Sequence, residues 1–158
     1  MALLAPGDRA PDITARRRDG SELTLSSLRG RHVLVYFYPK DDTPGCTAEA
    51  CGLNDNLSAL AESGADVIGV STDSWGSHQR FAEKYGLEFA LASDTDHAVR
   101  KAYGVGKMLG ALPIVQRVSF LVGPDGRIAH VWPHVNAARH AADVLEEVRR
   151  RTPGTAVA

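Results

Sequence analysis

Two cysteines are all that this chain of 158 residues carries. That is too few for a disulfide framework, and too few for a structural zinc site, which needs four ligands. His130 and His134 stand four apart, but Pro133 breaks any helix that would align them, so both are read as surface histidines. Long apolar runs are also missing. None approaches the roughly 20 residues of a membrane helix. The apolar start MALLA meets Pro, Gly and charges without a basic leader, so no export signal is expected. Net charge is nearly absent as well, at -1, which gives no basic field for nucleic acid or an anionic membrane. The short clusters Arg16, Arg17, Arg18 and Arg149, Arg150, Arg151 are read as solvated surface. No repeat, low-complexity tract or interdomain linker interrupts the chain. These absences leave one globular cytosolic domain spanning residues 1–158, with 44% apolar and 23% charged residues. In a reducing cytosol a lone cysteine pair suggests redox chemistry more than a staple.

The pattern of what is present is α/β. RRRDGSELTLSSL predicts a hairpin around Asp19-Gly20 and then a short turn. HVLVYFY, residues 32–38, is apolar almost throughout, as a central strand buried on both faces should be. A helical pattern runs from Pro44 to about residue 63 and stops at Gly64. DVIGVST is a second buried strand, SWGSHQRFAEKYG a helix ending at Gly86, FALA a short strand and DHAVRKAYG a helix. RVSFLVG and RIAHVW flank the hairpin turn at Asp125-Gly126, NAARHAADVLEEVRR is an amphipathic helix, and the end from about residue 151 is a frayed tail. Alternating strands and helices closed by a hairpin and a helix suit a thioredoxin-like fold with a mixed central sheet and an N-terminal β-hairpin extension. The stretch GVG at residues 104–106 ends a helix and lacks the spacing of a nucleotide loop.

Both cysteines lie in TPGCTAEAC, at one helix start. Thr43 suits the N-cap and Pro44 the first helical position, which puts Cys46 third. A thiolate there meets unpaired backbone N–H groups and the positive end of the helix dipole, and both favour the ionised, nucleophilic form. Cys46, Ala50, Leu53, Leu57 and Leu60 share one helical face, the face turned to the sheet. A buried cysteine is also a common small hydrophobe. Its place beyond the carboxyl end of a strand tips the reading toward chemistry. Cys51 falls about 140° further round, near Thr47, Asn54 and Ser58, on a partly exposed flank. A Cys-x-x-Cys pair is absent, which disfavours a thioredoxin-type dithiol.

The runs YFYPKDDTPGCTAEAC, GVSTDSWGSHQRFAEKYGLEFALASD, RVSFLVGPDGRI and VWPHVNAARHAADVLEEV together resemble a Q-type (bacterioferritin-comigratory) peroxiredoxin, over about residues 5 to 150. The signature Pro-x-x-x-Thr-x-x-Cys is met by Pro39, Thr43 and Cys46. The resemblance implies that Cys46 is the peroxidatic cysteine, Cys51 the resolving one, and Arg117 the arginine facing the active site. From the residues alone Arg117 reads as the solvated start of a strand, and Thr43 as a cap. The chain departs from the family pattern in the apolar stretch GKMLGALPIV at residues 106–115, at Gly123 where Asp is common, and at Arg139 where Gly is usual before His140.

The resemblance implies a thiol peroxidase without metal or cofactor. Arg117 would steady the thiolate, Thr43 orient the peroxide, and Pro39 shield the sulfur. A Cys46–Cys51 disulfide would follow the sulfenic acid, and thioredoxin or a similar dithiol would reduce it. A monomer or weak dimer is expected. The competing readings are a thiol–disulfide oxidoreductase on the same fold, and a non-enzymatic redox sensor or holdase.

Overall fold

The computed structural model describes residues 2–107 and 114–151. Its strands are β1 (Thr14–Arg16), β2 (Glu22–Thr24), β3 (His32–Phe37), β4 (Ala65–Ser71), β5 (Ala90–Ser93), β6 (Val118–Val122) and β7 (Ile128–Trp132). Its helices are α1 (Pro44–Asp55), α2 (Leu57–Glu62), α3 (Trp75–Tyr85), α4 (Ala98–Tyr103) and α5 (His140–Arg151), with a 3-10 turn at Leu25–Leu28. All seven strands form one sheet in the order β2-β1-β5-β4-β3-β6-β7. β3 sits between parallel β4 and antiparallel β6, and β4 pairs parallel with β5. Parallel neighbours need a crossover, which α1 with α2 and then α3 supply. The sheet is therefore mixed, and the hairpin of β1 and β2 joins its β5 edge, as expected of the thioredoxin-like fold with its extension.

Every residue of β3 is buried, because alternate side chains feed two cores. Leu34 and Tyr36 meet Ala50, Leu53, Leu60, Phe81, Val144 and Val148 from the helices. Val33, Val35 and Phe37 meet Ile13, Leu25, Tyr103 and Val105 on the other face. α5 packs on α1 and α2, so the first crossover is clamped from both sides.

The single helix expected over residues 44–63 is two. Asn56 turns out of helical geometry at φ -103 and ψ 8, and its side-chain amide donates to the Gly52 carbonyl at 2.8 Å. An Asn amide competes in this way for carbonyls that a continuing helix would use. The last helix starts at His140 rather than near residue 136, after a turn in which the Arg139 amide donates to the Asn136 carbonyl. His134 is exposed, but His130 is half-buried, with its ring 4.5 Å from that of Trp132, so it is not a free surface residue. Most of the atypical stretch at residues 106–115 and the tail from residue 152 lie outside the described residues. Among the described residues no helix is long and apolar enough to cross a membrane.

Candidate active site

β3 ends at Phe37, and the chain passes through residues 38–43 into α1. Thr43 is extended at φ -92 and ψ 154, and its carbonyl accepts from the Thr47 amide at 2.8 Å, so it stands at the N-cap position. Its side chain does not cap, contrary to the expectation from sequence. The Thr43 hydroxyl donates instead to the Lys40 carbonyl at 2.9 Å, which turns its oxygen lone pairs away from the helix N–H groups. The short distance from hydroxyl to backbone makes such a local bond compete well with a cap.

Cys46 lies in the first turn of α1 and is 1% exposed. Arg117 reaches it: Nη2 donates to Cys46 Sγ at 3.2 Å. The sheet register explains why. Phe37 pairs with Val118, so the residue preceding β6 emerges beside the outgoing end of β3, where α1 begins. The second guanidinium nitrogen, Nη1, donates to Glu49 Oε1 at 2.9 Å. Glu49 is three residues on from Cys46, one helical turn, so one planar guanidinium spans both. Gly45 makes room for it, since a Cβ there would lie 2.7 Å from Arg117 Nη2.

Glu49 is itself buried, and its second oxygen, Oε2, has no hydrogen-bond partner. It stands 3.8 Å from His140 Nε2 of α5, which lies 2.8 Å from the Ser119 hydroxyl of β6. Burial pushes the Glu49 carboxyl up to about 7, against the pull of Arg117. Burial likewise holds His140 down to about 4, helped by the same arginine. Taking charge out of water disfavours the ionised form of both groups. The Tyr36 hydroxyl is also buried without a partner, and burial beside Glu49 and Cys46 raises it well above the usual phenol range.

Cys51 is on the partly exposed flank of α1, as the helical spacing implies, and both cysteines are free thiols. Burial and then Asp55 raise the Cys51 thiol above its ordinary value, which keeps it protonated at neutral pH. Pro39 and Arg117 share the wall of an open groove of about 390 Å³ with Ile114, Val115, Pro133 and Val135. The structure thus gathers Cys46, Thr43, Arg117 and Pro39 around the start of α1 and leaves Cys51 further round the same helix.

Sequence reasoning missed Glu49, Ser119 and His140. The spacing from Cys46 to Glu49 was a readable signal; the other two come from distant elements and had none. Among the described residues one cluster has metal-ligand chemistry, Asp41, Asp73 and His78, with its ligand atoms within 4.8 Å. Its atoms already have hydrogen-bond partners within the protein: Asp41 has Tyr38, Ser77 and His78, Asp73 has Ser71 and the Asp41 amide, and His78 has Asp41 and the Ala92 carbonyl.

Residues 6–131 match the AhpC/TSA family. The chain is 44% identical over 152 residues to peroxiredoxin Bcp of Escherichia coli strain K12, covering 92% of this chain and 96% of that one. It is 36% identical over 151 residues to peroxiredoxin Bcp of Bacillus subtilis strain 168, covering 90% and 94%. A mutant PrxQ structure from Xylella fastidiosa superposes with a TM-score of 0.88 at 32% identity, covering 96% of this chain and 99% of that one. The bacterioferritin comigratory protein of Xanthomonas campestris, which has alkyl peroxide reduction activity, superposes with a TM-score of 0.82 at 35% identity, covering 96% and 98%. Agreement at this level, over nearly the full length of both partners and in fold as well as sequence, means that the chain belongs to the AhpC/TSA family and, within it, to the Q-type peroxiredoxins.

Proposed function

We propose that the protein reduces hydroperoxides through Cys46 and is recycled through Cys51. The Cys46 thiolate attacks the terminal oxygen of the hydroperoxide. An S–O bond forms as the O–O bond breaks, Cys46 becomes a sulfenic acid, and the departing oxyanion takes a proton to leave as water or an alcohol. The Cys51 thiol then attacks the sulfenic sulfur, a disulfide forms, and water leaves. A dithiol reductant of the thioredoxin kind restores both thiols, in a cytosolic setting and with the protein acting as a monomer or weak dimer. The oxidising equivalent comes from the substrate, so the residues need supply only position and charge.

The observation that carries this reading is the Arg117 Nη2 donation to Cys46 Sγ at 3.2 Å in the first turn of a helix. That bond supports a fixed positive charge beside both the thiolate and the oxyanion that develops. In this reading the Thr43 hydroxyl orients the peroxide and Pro39 screens the sulfur from water. The groove beside Arg117 has Pro39, Ile114, Val115, Pro133 and Val135 in its walls beside the polar Gln116 and His134, and that apolar share supports organic hydroperoxides as well as hydrogen peroxide as substrates. The test is peroxide consumption coupled to thioredoxin and its reductase. Wild type should turn over, the Cys46→Ser variant should not, and the Cys51→Ser variant should oxidise once without efficient recycling. Turnover by Cys46→Ser at the wild-type rate would refute the assignment.

A further inference from the structure

His78 of α3 is buried, and both of its ring nitrogens are engaged. Nε2 lies 2.9 Å from the Ala92 carbonyl and Nδ1 lies 2.7 Å from Asp41 Oδ2. A carbonyl only accepts, so Nε2 must carry a proton. The Nδ1 contact with a carboxyl oxygen then needs a second proton between the two atoms. Three donors converge on the Asp41 carboxyl: Tyr38 OH at 2.6 Å on Oδ1, and Ser77 Oγ at 2.8 Å together with the ring on Oδ2. That convergence suits a carboxylate, which would leave both ring nitrogens as donors and make the contact a charge-assisted bond. Both side chains are almost wholly buried, at 2% and 3% exposure.

Asp41 is held through its backbone too. Its amide donates to Asp73 Oδ2 at 2.9 Å, and Asp73 in turn receives Ser71 Oγ at 2.6 Å, while its carbonyl accepts from Ser93 Oγ. The ends of β4 and β5 and one turn of α3 thus converge on a single residue of the connection into α1. The residue before it, Lys40, supplies the carbonyl that fixes the Thr43 hydroxyl, and Cys46 follows within the next turn. Loosening Asp41 would therefore move the Thr43 hydroxyl relative to the sulfur.

We propose that the Asp41–His78 pair is a positioning device of the peroxidatic turn, setting the Thr43 hydroxyl and the Cys46 sulfur in register for one hydroperoxide. The inference rests on Cys46 as the peroxidatic nucleophile. Neither Asp41 nor His78 touches substrate; both act through residues 40–43. The pair selectively serves the attack step, because resolution by Cys51 needs this turn to open rather than to hold.

The experiment separates the two steps by stopped-flow tryptophan fluorescence with hydrogen peroxide in single turnover, on wild type, Asp41→Ala and Asp41→Asn. The peroxide-dependent phase of Asp41→Ala should slow by about tenfold or more, as misplacement on the scale of an ångström does. Its peroxide-independent resolution phase should be no slower than in wild type. Asp41→Asn keeps an acceptor for Tyr38 and offers an amide donor to a neutral His78 ring, so it should recover most of the lost attack rate. On wild type, ring ¹⁵N spectra at neutral pH should show His78 with both nitrogens protonated, and this holds whether or not the alanine variant folds. A neutral His78 tautomer, an unchanged attack rate in Asp41→Ala, or attack and resolution slowing together would overturn the proposal. A wild type that fails to react with peroxide would overturn the peroxidase reading as well, which distinguishes the two failures.

Discussion

Arg117 has one guanidinium and two partners, the Cys46 sulfur and the Glu49 carboxyl. Glu49 stays protonated up to about 7 and so competes little for that charge in acid. Burial raises its folded value above the ordinary 4.5, so the folded protein keeps a proton that the unfolded chain has lost. Its effect is to reduce stability as pH rises from about 4.5 to about 7. His140 works the other way: its folded value is lowered from 6.5 to about 4, so stability is lost as pH falls through that window. The two slopes oppose each other, each at most about 1.4 kcal/mol per pH unit, and largely cancel from pH 5 to 6.5. Glu49→Gln removes one of them. Its urea-unfolding stability should therefore rise with pH between about 5 and 6.5 more steeply than that of wild type, in which His32, also lowered by burial, adds its own rise; equal slopes would contradict the assignment of a neutral buried pair. Gly45 offers a second test, because a Cβ there meets only the far end of Arg117. Gly45→Ala should fold at least as well, since Ala is the better helix former, yet slow peroxide attack by roughly tenfold by displacing the guanidinium. Of these residues the sequence made Cys46 legible through its place in the helix. Arg117 needed the family resemblance, because its role depends on strand register, which leaves no local mark.

On the proposed mechanism α1 is folded for attack, because its folded first turn holds Cys46 against Arg117. It cannot be folded when the disulfide closes. Five residues of helix separate the Cα atoms by about 9 Å, whereas a disulfide spans at most about 7 Å. Resolution through a Cys46–Cys51 disulfide would therefore require α1 to unwind, and the break at Asn56, with Leu60 buried in α2, is where that unwinding is expected to stop. Asn54 opposes it: its Nδ2 donates to the Gly86 carbonyl at 3.0 Å and its Oδ1 accepts from the Glu88 amide at 2.9 Å, tying α1 to the segment after α3. Two such bonds are together worth about 1–3 kcal/mol. Asn54→Ala should speed the resolution step by about tenfold, the equivalent of about 1.4 kcal/mol, and make Cys46 harder to overoxidise. Rapid-quench measurement of disulfide formation checks this, and an unchanged rate would mean that Asn54 is no latch. In the sequence the apolar face from Cys46 to Leu60 runs straight through this junction, and no Gly or Pro marks it. The break comes from one amide side chain in competition with the backbone, which periodicity does not register.

At the scale of the whole molecule, the sheet is the fixed frame against which the proposed change in α1 would take place. β3 feeds both cores and is flanked by β4 and β6, so its carboxyl end is fixed from each side. That central part was legible because strands buried on both faces are written as continuous apolar runs. The strand order beside them was less so, as the edge hairpin is held through a single β1–β5 pair, Arg16 with Leu91. Backbone amide exchange in the disulfide form should quicken in residues 43–55 and stay slow in β3, β4 and β6; equal protection of α1 in both redox forms would refute the local switch. The most direct test of the reading is a single equivalent of hydrogen peroxide added to reduced Cys51→Ser, followed by a sulfenic-acid trap and peptide mass spectrometry. One adduct per chain on Cys46 is the expected result; an unmodified Cys46 in protein that has consumed its peroxide would contradict it.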